Sequence, residues 1–151
     1  MTFHTLSAAY ISHLERKGSD VKTRARNGQA LARYEEWLTK LGVEPAKATE
    51  PLIEEYFAWL SCEWAQTTAN REAVIVKAAY RYAKRLGMIA ENPAEYVKAP
   101  AVDEAEPEVY SNDELRRIRA AIRDDLDEVI FYGLAYEGVR RFELVNLAWK
   151  L

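Results

Sequence analysis

The sequence contains few of the side chains that build disulfide-bonded or zinc-binding proteins. Among its 151 residues there are one cysteine, Cys62, and two histidines, His4 and His13. A single cysteine excludes an internal disulfide framework and fits a reducing compartment. The histidines are wrongly spaced for a helical ligand pair, and with one cysteine they cannot complete the usual tetrahedral zinc site. We therefore expect no bound metal.

Long apolar segments are also missing. No uncharged apolar run approaches the ~18 residues that a membrane-spanning helix requires. Residues 1–4 lack the basic and then apolar pattern that begins a secretory signal. We therefore expect a cytoplasmic protein with no membrane partner.

The formal net charge of −3 argues at first against a nucleic-acid partner, but the charges are unevenly distributed. Residues 1–97 carry 13 basic and 12 acidic side chains, whereas residues 98–151 carry 8 and 12. A phosphate group responds to the charges near it rather than to the total. The positions of the cations therefore decide whether the chain could bind DNA.

Apolar residues at helical spacing predict an all-α fold with four helices in residues 1–97. Three of these helices are predicted to end at glycines, at Gly18, Gly42 and Gly87, and the third helix to begin after the N-cap residue Thr49. Amphipathic helices with short connections are typical of a compact bundle, and this length is enough to bury its core. The predicted core residues of the second, third and fourth helices are Ala30, Leu31, Tyr34, Trp37, Leu38 and Leu41, then Ile53, Tyr56, Phe57 and Leu60, then Ile75, Val76, Ala79, Tyr82, Ala83 and Leu86.

The helical pattern fails between residues 98 and 109. Pro100 and Pro107 lie before and within an acidic stretch of Asp103, Glu104, Glu106 and Glu108. This segment is predicted to be an extended linker. A capping box at residues 111–114 then begins the first of three short helices in residues 110–151. Three short helices cannot enclose a core, so we expect an incomplete domain with partly uncovered apolar faces. The side chains on these faces are Ile118, Ile122, Ile130, Leu134 and Leu147.

Basic residues recur at helical spacing on the second and fourth helices, on the faces predicted to lie away from the core. If both faces point to the same side, they form a cationic groove of DNA width. Short polar groups at the start of the fourth helix would add to this groove, because free amides there favour phosphate oxygens. The predicted DNA-binding residues are Lys22, Thr23, Arg26, Arg33 and Lys40 of the second helix, and Thr67, Thr68, Asn70, Arg71, Lys77, Arg81, Lys84 and Arg85 of the fourth.

An alternative is that these cations only solvate the outer faces of amphipathic helices, where lysine and arginine are common. Glu35 and Glu36 interrupt the basic stripe of the second helix, which favours this alternative. The stripes by themselves leave both interpretations open.

Six short motifs occur in an order and spacing that resemble the tyrosine recombinase (phage integrase) family over nearly the whole chain. The most specific is Gly138–Leu144, similar to the family's Gly-Leu/Met-Arg-x-x-Glu-Leu box, with Leu147 and Trp149 at the family's spacing. The resemblance implies a four-helix, SAM-like core-binding domain over residues 1–97 and the first helices of a truncated catalytic domain over residues 110–151. The other matching segments are Thr23, Thr68 with Asn70 and Arg71, Leu86–Ala94, and Tyr110–Leu115.

The resemblance implies that Arg140 is the first catalytic arginine and that Glu143 supports it. A guanidinium suits this role, because attack on a phosphodiester concentrates negative charge on two non-bridging oxygens that one guanidinium can bind together. The family exchanges DNA strands through a 3′-phosphotyrosine, so no cofactor, metal or small-molecule ligand is expected. The family's later catalytic groups, including the tyrosine nucleophile, lie downstream of the arginine box, and we expect this chain alone to be inactive in DNA cleavage.

The resulting hypothesis is a DNA-binding fragment of a tyrosine recombinase in a bacterial or phage-infected cell, on the nucleoid. Its expected partners are double-stranded DNA of a core-type recombination site and other copies of the recombinase. Two alternatives stay open, a naturally short, non-catalytic regulator of recombination and a helical protein-interaction module. The alternative for Arg140 is an ordinary surface arginine in a salt bridge with Glu143.

Overall fold

Helices are the only regular secondary structure in residues 3–103 and 109–146, the parts of the chain that a computed structural model describes. The predicted all-α fold is therefore confirmed. The chain divides into two compact units, Met1–Glu104 and Ala105–Leu151.

Four α-helices form the first unit, as predicted. They are α1 (Phe3–Arg16), α2 (Val21–Lys40), α3 (Glu50–Glu63) and α4 (Gln66–Arg85), and a single 3-10 turn at Pro45–Lys47 precedes α3. α1 packs against α2 and α4, and α4 also packs against α2 and α3. Because α4 contacts all three other helices, it is the central element of the bundle.

Local sequence explains where these helices begin and end. The carboxylate of Asp20 accepts a hydrogen bond from the Thr23 amide at 2.9 Å and so caps the start of α2. Gly42 and Gly87 follow α2 and α4 with φ angles of +68° and +69°, a left-handed conformation that favours glycine. Thr49 is the N-cap residue of α3, as predicted, but its side chain forms no cap hydrogen bond.

Tyrosine hydroxyls connect the centre of the core. Tyr34, Tyr56 and Tyr80 are fully buried. The Tyr80 hydroxyl donates a hydrogen bond to the Pro45 carbonyl at 2.9 Å and lies 2.7 Å from the Tyr34 hydroxyl. Since a hydroxyl carries one hydrogen, Tyr34 donates to Tyr80. This relay joins α2 and α4 to the 3-10 turn, and burial raises the pKa of both hydroxyls above the ordinary value.

Most of the predicted core residues are buried and Trp37 is partly buried, but two are exposed. Leu41 and Leu86 have exposed fractions of 49% and 52%, so their predicted burial is wrong. Each is the C-cap residue of its helix, and the glycine that follows it turns the chain away. Tyr80 is fully buried although the apolar pattern did not place it in the core.

A segment without regular secondary structure, residues 92–103, runs back along one side of α4, and we call it the return segment. The Asn70 side chain donates to the Pro100 carbonyl at 2.7 Å, and the Lys77 ammonium donates to the Val97 carbonyl. Further along, Lys84 pairs with Glu95 at 2.7 Å. Contacts later in the return segment are made by residues earlier in α4, so the two run antiparallel.

The return segment belongs to the first unit. Ala94 and Val97 are buried in its core, and at the far end the Gln66 side-chain nitrogen donates to the Asp103 carboxylate at 3.3 Å. The first unit therefore continues beyond residue 97, where the sequence analysis placed the start of a linker. Most of the acidic cluster predicted for that linker, residues 104–108, lies outside the described residues.

The second unit contains α5 (Asn112–Ala120), α6 (Asp125–Ala135) and α7 (Arg141–Val145). The capping box at the start of α5 is confirmed, since the Ser111 hydroxyl and the Glu114 carboxylate each accept from the other residue's amide. Within residues 109–146, Phe131 is the one buried side chain.

The apolar faces of the second unit are open, as the sequence predicts. Ile118, Ile130 and Leu134 are exposed, and they line a groove of about 720 Å³ together with Leu115 and Ile122. Leu126 of α6 is also exposed. The predicted apolar residue Leu147 lies outside the described residues.

Replacing Lys77 with alanine should lower the free energy of unfolding by about 1–2 kcal/mol, because the Val97 carbonyl loses its charged donor. Arg81→Ala is the matched control. Arg81 lies one turn further along α4, is exposed and forms no ion pair with the described residues, so its loss should cost less than about 0.5 kcal/mol. Urea unfolding followed by tryptophan fluorescence measures both. Equal losses would contradict the assignment of Lys77 to the return segment.

Candidate nucleic-acid interface

The outer surface of α4 consists of two flanks, one in contact with the return segment and one exposed to solvent. With about 100° of rotation per residue, Gln66, Asn70, Lys77 and Lys84 share one flank, which the return segment covers. The other flank is open to solvent, and we call it the arginine face. Its residues, at offsets 0, 4, 7, 11, 14 and 18, are Thr67, Arg71, Val74, Ala78, Arg81 and Arg85.

The predicted basic stripe of α4 is therefore divided by the fold. By helical spacing, one surface was predicted to contain Asn70, Lys77, Arg81 and Lys84. Three of these four side chains hold the return segment, and Arg81 is the exception. The pKa of Lys84 is raised by its hydrogen bond to Glu95 and by the charge of that carboxylate, which shows how closely the two groups are paired.

The arginine face presents cations that have no acidic partner. Arg71, Arg81 and Arg85 are exposed and form no ion pair with any residue in the described ranges. No acidic side chain belongs to this face. A rise of 1.5 Å per residue places Arg71 and Arg81 about 15 Å apart along α4, nearly three helical turns.

The start of α4 offers fewer free amides than the sequence analysis assumed. The amides of Thr68 and Ala69 both donate to the Ala65 carbonyl, at 2.8 and 3.0 Å. Thr67 is exposed at the first turn, on the same flank as Arg71, whereas Thr68 is half-buried. Of the two threonines, Thr67 is therefore the better placed to meet a ligand.

The predicted stripe on α2 is only partly available. Lys22 and Arg26 are exposed and form no ion pair with the described parts of the chain, whereas Lys40 pairs with Glu36 at 3.0 Å. The Thr23 hydroxyl donates to the Asp20 carboxylate at 2.6 Å, within the helix cap. Thr23 thus has a structural role at the helix start.

Arg33 is the clearest departure from the predicted stripe. Its guanidinium forms an ion pair with Glu72 of α4 and lies over the ring of Trp64, 4.5 Å from the ring centroid. Arg33 is half-buried, and its pKa is raised by the hydrogen bond to Glu72. The prediction that Arg33 faces away from the core is wrong, because its charge neutralises a buried carboxylate.

Glu72 itself was missed by the sequence analysis. It is the one buried charged residue among those that the structure describes. The signal was present in the sequence, since Glu72 lies three residues after Ala69 and four before Val76, both on the apolar face of α4. A buried carboxylate requires a nearby cation, and Arg33 supplies it.

A second group of basic side chains, of which only Arg85 was predicted, lies by Tyr82 where α1 ends beside α4. We call His13, Arg16, Lys17 and Arg85 the α1–α4 cluster. Arg16 donates to the Tyr82 hydroxyl at 2.9 Å, the His13 ring stacks on the Tyr82 ring at 4.2 Å, and the Arg85 guanidinium lies 5.1 Å from the same ring. Because Arg85 belongs to both groups, the cluster extends the arginine face toward α1.

Arg140 and Glu143 contact each other in the second unit. The Arg140 amide donates to one Glu143 carboxylate oxygen at 2.9 Å, and its guanidinium donates to the other at 3.1 Å. Arg140 is the N-cap residue of α7, and its side chain is 84% exposed. The carboxylate therefore fixes both the backbone and the side chain of Arg140 while the guanidinium stays open to solvent.

The described residues contain no group of three or more His, Cys, Asp and Glu side chains placed to hold a metal ion. In the same residues, no helix combines the length and hydrophobicity needed to cross a membrane.

The pKa of His13 should lie below the ordinary value of about 6.5. Its ring is partly removed from water, and Lys17, Arg85 and Arg16 oppose its protonation. As the pH falls below about 6.5, the histidine of the unfolded chain binds a proton before that of the folded chain. The free energy of unfolding should therefore decrease as the pH is lowered from this value. NMR titration of the imidazole protons measures the pKa directly, and His13→Gln should remove this part of the pH dependence. A pKa at or above the ordinary value would contradict the described cluster.

Comparison with known proteins identifies the first unit. The family model of the phage integrase SAM-like domain matches residues 2–99, which include all four helices of the bundle and part of the return segment. No curated protein and no solved structure matches the chain significantly. The match confirms the resemblance to tyrosine recombinases that the motifs indicated and covers well over half of the chain. The chain therefore belongs to the phage integrase SAM-like domain family.

Proposed function

We propose that the first unit binds double-stranded DNA at a core-type recombination site through the arginine face of α4. The observation that carries this proposal is the flank of Arg71, Arg81 and Arg85, exposed along one central helix with no acidic partner in the described residues. Membership of an integrase domain family supports DNA as the partner.

The geometry suits insertion of α4 into the major groove. A helix with its side chains is about 10–12 Å across, and the groove is about 12 Å wide. With about 100° of rotation per residue, Arg71 and Arg81 project about 80° apart around the helix axis, so they can reach phosphates on either side while Val74 and Ala78, at angles between them, face the base edges. Guanidinium groups suit this role, because they donate paired hydrogen bonds to phosphate oxygens.

Two further groups of cations belong to the proposed surface. Lys22 and Arg26 lie on α2, which packs against α4, and Arg16 and Lys17 belong to the α1–α4 cluster. These side chains supply further phosphate contacts outside the groove. The residues that hold the return segment contribute indirectly, by keeping the other flank of α4 closed.

In the second unit, Arg140 binds the phosphate at which strands are exchanged, and Glu143 positions it. The bidentate hold of Glu143 on the amide and the guanidinium supports this assignment, since a fixed cation stabilises developing charge without reorganising. The remaining partners of the proposed function are other copies of the recombinase on the same DNA, inside the cell.

Arg81→Ala should weaken binding to a duplex severalfold and lower the slope of log K against log salt concentration by about 0.9, the value for one lost phosphate contact. The triple variant R71A/R81A/R85A should lower the slope by that amount for each arginine that contacts a phosphate. Fluorescence anisotropy at several salt concentrations gives both quantities.

Lys47→Ala serves as the control, because Lys47 is an exposed cation in the 3-10 turn. Its loss changes the net charge equally and should leave the affinity and the salt slope nearly unchanged. If Arg81→Ala and Lys47→Ala behaved alike, the arginines would only solvate the helix, and the interaction-module alternative would be favoured.

A further inference from the structure

The arginine face of α4 contains one large apolar side chain, and the bundle does not use it. Val74 lies near the midpoint of α4 and is 51% exposed. Its neighbours in the sequence, Ala73 and Ile75, are buried, so Val74 points away from the core that they help to form. An isolated exposed valine is common on protein surfaces and by itself indicates nothing. Val74, however, lies between arginines on the face that is proposed to contact DNA.

The residues around Val74 allow close approach by a ligand. One turn further along the same flank is Ala78, whose side chain is a single methyl group. The longer polar side chains on either side, Asn70 and Lys77, donate hydrogen bonds to the carbonyls of Pro100 and Val97. Val74 and Ala78 thus form a small apolar surface with Arg71 before it and Arg81 after it.

If α4 lies in the major groove with Arg71 and Arg81 directed toward the phosphates, this apolar surface faces the base edges. The one apolar group that natural base pairs present in the major groove is the 5-methyl group of thymine. A valine side chain cannot hydrogen-bond, so any discrimination that it provides comes from burying that methyl group.

We infer that Val74 is a specificity-determining residue that recognises thymine by contact with its 5-methyl group. This inference rests on the proposed function and adds to it a chemical class of base. Arg71 and Arg81 supply affinity on either side, and Val74 favours sites that place thymine beneath the centre of α4.

The test uses duplexes that differ only in this methyl group. An alternating adenine–thymine duplex is compared with the same duplex containing deoxyuridine in place of thymine. In a second pair, an alternating guanine–cytosine duplex is compared with its 5-methylcytosine form, which carries a methyl group at the equivalent position in the groove. The full chain should bind each methylated duplex about fourfold more tightly, the factor for burial of one methyl group.

Val74→Ala should reduce this preference to near onefold while leaving the affinity for the unmethylated duplexes unchanged. Val102→Ala, a change at another exposed valine in the return segment, should retain the full preference. Because Val74 is exposed, its substitution should not disturb folding, and circular dichroism with thermal unfolding checks this.

Each other outcome has a distinct meaning. Salt-dependent binding with no methyl preference in the full chain, or the same preference in Val74→Ala, would overturn the role of Val74 and leave the proposed function intact. A preference in only one of the two duplex pairs would also overturn it, because the effect would then follow DNA shape rather than the methyl group. Failure to bind any duplex would overturn the proposed function itself.

Discussion

The contacts between the return segment and one flank of α4 determine which cations of this protein are available. Asn70, Lys77 and Lys84 are committed to the Pro100 and Val97 carbonyls and to Glu95. A donor that satisfies a partly or fully buried carbonyl is costly to remove, so Asn70 and Lys77 are not freely exchanged for a ligand. The Lys84–Glu95 pair is exposed and therefore holds its lysine less strongly. The adjoining flank, with Arg71, Arg81 and Arg85, leaves its arginines exposed. The fold thereby divides one basic helix into a structural side and a solvent-exposed side.

Other polar side chains in the first unit follow the same physical rule. The buried Glu72 carboxylate is matched by Arg33, and the Tyr80 hydroxyl is matched by the Pro45 carbonyl and by Tyr34. Each of these contacts removes a polar group from the set that a ligand could use. The proposed DNA-binding surface consists of the cations that these contacts leave exposed. Among the described residues, the Tyr56 hydroxyl and one Glu72 carboxylate oxygen stay buried without a hydrogen-bond partner.

Much of the fold could be predicted from the sequence, because its signals are local. The glycines after α2 and α4 and the capping box at Ser111 follow from backbone and capping chemistry, and the core faces follow from helical spacing. The division of the α4 stripe could not be predicted in this way. By spacing alone Lys77 and Arg81 both lie on the polar side, and only the path of the return segment, which has no periodic pattern, distinguishes them. The family resemblance indicated DNA as the partner, but it did not indicate which flank of α4 is exposed.

The most direct test of this account is an NMR titration of the full chain with duplex DNA, observing side-chain nitrogens. The Nε–H signals of Arg71, Arg81 and Arg85 report on the exposed flank, and the side-chain amide signals of Gln66 and Asn70 report on the flank under the return segment. The account predicts that added DNA shifts the arginine signals and leaves the two amide signals in place. Shifts at Gln66 and Asn70 with unchanged arginine signals would contradict it, because DNA would then displace the return segment rather than meet the open face of α4.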